Sequence, residues 1–213
     1  MTMGRPRRTV IAALALAALL AGCGRPKSTS ERPDDMVVGR ADAPVTLVEY
    51  ASVTCAHCAQ FQASVFPQLK AKYIDTGKVR YVFREYLTPP SNVAAAGFLL
   101  ARCAGTDRYF DVVETIMRAQ PEMFAGGTSK NALPVLRRIG QNFGVDDKQF
   151  NHCVTDADGM KRIQAGMAAT DAATPIKGTP AFYVNGRFVE RTTGDLQDFD
   201  RALSPLLSPT GKP

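Results

Sequence analysis

The sequence predicts an α/β protein in which a β-α-β unit and a later β-β-α unit are separated by an all-helical block. Three observations predict it. Residues 45–50 alternate, with Val45, Leu47 and Glu49 on one face and Thr46, Val48 and Tyr50 on the other, and Val79, Tyr81 and Phe83 alternate with Arg80, Val82 and Arg84. Between Pro89 and Ala173 the spacing of apolar residues becomes helical. After that, Ala181-Phe182-Tyr183-Val184 and Arg187-Phe188-Val189 flank Asn185-Gly186, the preferred pair for a tight hairpin.

The elements follow in order. Arg5, Arg7 and Arg8 precede an apolar run from Val10 to Leu20, too short to span a bilayer as a mature helix, which predicts a signal peptide over residues 1–22. The run ends Leu20-Ala21-Gly22-Cys23, which resembles the lipobox of bacterial lipoproteins, so Cys23 is the expected lipidation site and the chain a membrane-anchored lipoprotein. Two acyl chains at about 0.8 kcal/mol per buried CH2 hold a protein stably on a membrane. The formal charge of +6 owes half its excess to those three arginines, and the remainder forms no basic block, which argues against nucleic-acid binding. Residues 23–35 are polar and proline-bearing, the composition of a flexible tether.

Met36 to Val38 is expected as a short edge strand and residues 39–44 as a turn. Past the central strand, Ser52 and Thr54 introduce Cys55-Ala56-His57-Cys58, and Phe61, Val65, Leu69 and Tyr73 continue at helical intervals to Gly77, with a kink expected at Pro67. Ser91 is the expected N-cap of a helix over Val93 to Ala104. Further helices are expected over Tyr109 to Ala119, Leu133 to Phe143, a short stretch capped by Asp146 or Asp147, and Met160 to Ala173. Leu196 to Leu206 forms the last helix, ahead of a disordered tail. The division is thus residues 36–88 and 174–208 for the β-containing domain and 89–173 for a helical insertion.

A helix start concentrates unpaired N–H groups and the positive end of the macrodipole, so a sulfur at Cys55 is stabilised as thiolate. Cys55 is therefore the candidate nucleophile. Export places the cysteines in an oxidising compartment, where they count as pairs. There are five; with Cys23 lipidated, four remain. Cys55 with Cys58 suits a redox couple and Cys103 with Cys153 a structural disulfide, other pairings being open to the sequence. Zinc or another metal would need more ligands than His57, His152 and remote cysteines offer.

Cys-x-x-Cys between a strand and a helix, in this element order, suggests a thioredoxin fold with an inserted helical subdomain. At Cys55-Ala56-His57-Cys58, Thr179-Pro180 and the helices between them, the chain resembles the DsbA family of periplasmic thiol:disulfide oxidoreductases, within it the lipoprotein subgroup with a second cysteine pair. The resemblance implies that Cys55 attacks, Cys58 resolves and His57 stabilises the Cys55 thiolate. Glu49 matches a buried acid that relays a proton to Cys58, although a core ion pair with Arg84 is an equal reading of the residue. Pro180 after Thr179 matches a cis-proline that lays substrate backbone beside the disulfide. Ala56 departs from the proline of the best-known members.

The expected activity is donation of a disulfide to exported cysteine-containing proteins, by a monomer that needs no cofactor beyond its redox-active disulfide. A quinone-linked membrane partner would reoxidise it. The alternatives are a reductase or isomerase of the same fold, or a metal-binding chaperone.

Overall fold

A computed structural model of the chain describes Met1 and residues 31–174 and 176–208. The rest of the expected signal peptide, Cys23, the first part of the tether and the tail from residue 209 lie outside the described residues.

Strands β1 (Met36–Val38), β2 (Val45–Ala51), β3 (Val79–Glu85), β4 (Ala181–Val184) and β5 (Arg187–Phe188) form one sheet in the order β1-β3-β2-β4-β5. β2 is central and runs parallel to β3, with Glu49 opposite Phe83, and antiparallel to β4, with Glu49 opposite Phe182. Every residue of β2 is buried, because both sheet faces are covered. Val45 and Leu47 join the main core, whereas Val48 and Tyr50 pack with Val82 and Ala181 on the other face. Glu49 shares the main-core face by alternation and is fully buried there. Asn185 (φ +47°) and Gly186 (φ +83°) turn β4 into β5 with both φ angles positive, as the Asn-Gly pair predicts.

Helix α1 (Ala56–Ser64) follows β2. It ends sooner than the periodicity suggested. Helix α2 (Phe66–Leu69) restarts the chain with Pro67 in its first turn, where the absent N–H has no intrahelical partner to lose. A wider π-helical turn over Lys70–Ile74 completes the segment.

Six α-helices lie between β3 and β4: α3 (Ser91–Cys103), α4 (Tyr109–Arg118), α5 (Gln120–Met123), α6 (Ala132–Asn142), α7 (Asp147–Val154) and α8 (Ala157–Ala173). α3 packs against α4, α6, α7 and α8, which explains why its alanine- and leucine-rich surface is buried almost all round. Asp146 caps α7 in a capping box with Gln149, and a disulfide joins Cys103 at the end of α3 to Cys153 in α7 with a Cα separation of 6.0 Å. Helix α9 (Leu196–Leu207) packs on β2 and α2, which returns the last described helix to the sheet.

Two expectations are corrected. Ser91 is the first helical residue and not the cap; the Pro90 carbonyl accepts from Val93 and Ala94, and no side chain caps α3. The tether stops short of residue 35. Arg32 donates to the Gly166 carbonyl (2.7 Å) and Thr170 Oγ1 (2.9 Å), Arg84 grips both carboxylate oxygens of Asp35 at 2.9 Å, and Arg102 bonds the Asp34 carbonyl. Low hydrophobicity over residues 31–35 therefore accompanies charged attachment.

Candidate active site

The turn after β2 is built on buried Ser52. Its hydroxyl meets Thr54 Oγ1 at 3.1 Å and accepts from the Thr88 N–H at 3.3 Å, while Thr54 Oγ1 donates to the Thr88 carbonyl at 3.0 Å. The β2 exit is thereby tied to the segment after β3. From the insertion, Gln120 Nε2 donates to the carbonyls of Val53 (2.8 Å) and Cys55 (3.1 Å). Neither carbonyl of this non-repetitive turn is left for water to satisfy.

Cys55 occupies the N-cap of α1 with extended backbone (φ −84°, ψ 118°), and its Sγ accepts the Cys58 N–H at 3.3 Å. Sulfur thus takes the place that a serine or aspartate oxygen usually fills. On its other side the sulfur lies 3.2 Å from the Thr179 carbonyl, next to the cis Thr179–Pro180 peptide. The Cys55 pKa is drawn down to about 5, first by a hydrogen bond from the Cys58 thiol, against partial burial, with help from Thr179 and the N–H groups of Cys58 and His57. What His57 offers the sulfur here is its backbone N–H; its ring is exposed and makes no hydrogen bond among the described residues.

Cys58 is the opposite case. It is wholly buried, and burial, together with the Cys55 sulfur and the Glu49 charge, pushes its thiol far above the ordinary range. The two sulfurs, not bonded to each other in this structure, therefore differ in protonation: at neutral pH the shifts favour an anion at Cys55 and a thiol at Cys58.

Glu49 is coupled by its charge to Cys58. Burial raises its pKa to about 8, opposed by the Tyr81 hydroxyl, which donates to Oε2, and by the Arg191 cation. The core ion pair with Arg84 does not form, because Arg84 on β3 faces the other side of the sheet and holds Asp35 and the Tyr50 hydroxyl (2.9 Å). Arg191 instead brings its guanidinium over the rings of Phe182 (5.5 Å) and Phe61 (5.8 Å).

Tyr81, Gln62, Gln120 and Arg191 were absent from the residues that the sequence singled out. For Tyr81 the sequence shows its alternation with Arg80 and Val82, but the register opposite Leu47 that puts it on the Glu49 face is set by the sheet. Gln120 and Arg191 had no signal. Cys103 and Cys153 lie away in the insertion. His152 stands beside Cys153 in α7, and no cluster of His, Cys, Asp and Glu suited to a metal occurs among the described residues.

Next to Ala56, the residue after Cys55, opens a cavity of about 520 Å³ between α1 and the α4–α5 corner, with Ala59, Met117, Pro121 and Phe124 among its apolar walls and Glu114 and Arg118 among its polar ones. The small side chains of α1 create the room.

Known proteins share this plan. A sequence model of the family described as Thioredoxin matches residues 31–203. A Rickettsia bellii protein named as a protein-disulfide oxidoreductase is 36% identical over 153 residues, 72% of this chain and 58% of that one. The chain spans less than two thirds of the length of the Rickettsia relatives it matches. Wolbachia pipientis alpha-DsbA1 superimposes with a TM-score of 0.71 at 26% identity, over 83% of this chain and 92% of that one. Bacillus subtilis BdbD shares the fold, with a TM-score of 0.69 at 21% identity over 81% and 92% of the two chains. With the matched span running from the charged attachment before β1 into α9, and the cysteine pair held between β2 and α1, the chain belongs to the thioredoxin family as a DsbA-like member.

Proposed function

We propose that this chain is an enzyme, a thiol:disulfide oxidoreductase that passes a Cys55–Cys58 disulfide to cysteine-containing polypeptides. The observation that carries the reading is the division of labour between the sulfurs: Cys55 is drawn down to about 5 and partly accessible, and Cys58 is buried and pushed up. A substrate thiolate attacks Cys55 Sγ, the Cys55–Cys58 bond breaks, and Cys58 leaves with the electron pair and takes a proton from Glu49. A second substrate thiolate then attacks the substrate sulfur of the mixed disulfide. Cys55 departs as thiolate, the substrate gains its disulfide, and two electrons rest on the protein. Thiols of low pKa leave fastest, so the second step favours release of Cys55.

Thr179 and Pro180 flank the sulfur where substrate backbone would lie, and the apolar cavity beside Ala56 has room for a side chain of an unfolded polypeptide. Cys103–Cys153 serves as the structural disulfide. The redox-active disulfide is the sole cofactor needed. The sequence supports the remaining assignments: export to the periplasm, lipidation at Cys23, a monomeric state and a quinone-linked membrane reoxidant. No described helix is long and apolar enough to cross a membrane.

The test is refolding. The oxidised protein should restore activity to reduced ribonuclease, and Cys55→Ser should abolish this. Fast insulin reduction without ribonuclease oxidation would instead identify a reductase, and copurifying zinc or copper with Cys55 inert to alkylation at pH 5 would identify a metal carrier.

A further inference from the structure

A buried chain of hydrogen bonds, coupled by charge to the dithiol, is one that the sulfur chemistry alone does not require. Gln62 Nε2, on α1, donates to the Tyr81 hydroxyl at 3.4 Å, and that hydroxyl donates in turn to Glu49 Oε2. All three residues are buried, Gln62 being 7% exposed and Tyr81 and Glu49 0%. The hydroxyl's proton is thus committed to Glu49, since the amide N–H arriving from Gln62 occupies its acceptor side. The other carboxylate oxygen, Glu49 Oε1, is buried and has no hydrogen-bond partner among the described residues. A lone unpartnered oxygen on an otherwise anchored carboxylate is the place where a proton can be held and exchanged.

The groups that face Glu49 are few. Tyr81 approaches from β3, Cys58 from α1, Cys55 from the cap before it, and Arg191 from the segment after β5. Among the described residues, only Tyr81 touches the carboxylate by a hydrogen bond. Its ring is fixed from two sides, with centroids 4.9 Å from Phe66 and 6.2 Å from Phe110, so the hydroxyl has one place to point.

We propose that Tyr81, set by Gln62, is a positioning residue that anchors Glu49 through Oε2 and leaves Oε1 as the oxygen that exchanges the Cys58 proton. This rests on the oxidoreductase reading and deepens it. In the step that resolves a mixed disulfide, the Cys58 thiol gives its proton to Glu49 Oε1. The Cys58 sulfur attacks Cys55 Sγ, the bond from Cys55 to the partner sulfur breaks, and the partner leaves with the electron pair. Tyr81 gives up no proton in this step. A hydroxyl donated to the carboxylate favours its ionised form, so Tyr81 holds the Glu49 pKa below the value that burial alone would impose.

The experiment uses the full chain carrying a mixed disulfide between Cys55 and glutathione, with release of glutathione followed against pH. Tyr81→Phe keeps the ring and removes the hydroxyl. Its inflection should move to higher pH by about one unit, a roughly tenfold slowing at pH 7 that closes again in alkali. Gln62→Met should move the profile in the same direction by less. In a Glu49→Gln background the inflection should vanish and Tyr81→Phe should slow release no further. A Tyr81→Phe profile superimposed on that of the wild type, or an equal slowing with and without Glu49, would overturn the assignment. The Cys55 thiolate absorbance is titrated on the same samples. An ordinary thiol pKa there would sink the oxidoreductase reading itself, whereas a value near 5 with an unmoved release profile sinks only the role of Tyr81.

Discussion

At Cys55 and Cys58 the two sulfurs of one motif are driven apart in acidity by a difference in burial and in hydrogen bonding. Reduction of the disulfide consumes two protons below the Cys55 pKa, about 5, and one above it, because Cys58 keeps its proton. The reduction potential, equilibrated against glutathione, should therefore fall by about 59 mV per pH unit below pH 5 and by about 30 mV per unit from there to neutrality. A single slope throughout would mean an ordinary thiol at Cys55. A second consequence concerns stability of the dithiol form. Glu49, raised from 4.5 to about 8, contributes stability that is present below 4.5 and lost as pH rises through 8, at most about 1.4 kcal/mol per pH unit in between. Cys55, lowered from 9.0, contributes stability present above 9 and lost as pH falls through about 5. The two slopes oppose each other between pH 5 and 8. Urea midpoints should hence change little with pH in the wild type, rise with pH in Glu49→Gln and fall with pH in Cys55→Ser. The cysteines and Glu49 were legible because they share one short stretch. Tyr81 lies 32 residues from Glu49 and Gln120 lies 65 from Cys55, and no local spacing announces a hydrogen bond across such gaps.

Among the elements, amphipathic spacing located the helices to within a few residues, since burial on one face is a local property of the pattern. It was blind to the break after Ser64, because Phe61, Val65 and Leu69 continue the apolar stripe across it. It also misplaced the start of α3, where a proline carbonyl does the work expected of a serine hydroxyl. The cross-link between α3 and α7 closes a loop with a sequence separation of 50. On chain-entropy grounds its removal costs up to about 4 kcal/mol. Cys103→Ala with Cys153→Ala should accordingly lower the urea midpoint of the oxidised and dithiol forms alike, while the Cys55 thiolate still titrates near 5. An unchanged midpoint would show that helix packing alone holds α7 in place.

For the molecule as a whole, the order of strands and helices was readable, but the way its two parts meet was not. Val53, in the turn before Cys55, is a point of contact. A Cβ added to Gly97 of α3 would come within 2.7 Å of its Cγ2, so the helical block is fitted against the turn that carries Cys55. Gln120→Leu should leave the buried Val53 carbonyl without its donor, the Cys55 carbonyl keeping the Ala59 N–H, and cost about 1–3 kcal/mol, measured by denaturation of the dithiol protein. A loss within error would mean that water replaces the amide.

The amide of Gln120 also bears on how small such a protein can be made. A designer who excised residues 89–173 and spliced β3 directly to β4 would retain both cysteines and every strand of the sheet. The trimmed protein would nevertheless have lost the bracket that holds its reactive turn, and would need another scaffold to grip those carbonyls before its thiols could be compared with the parent's.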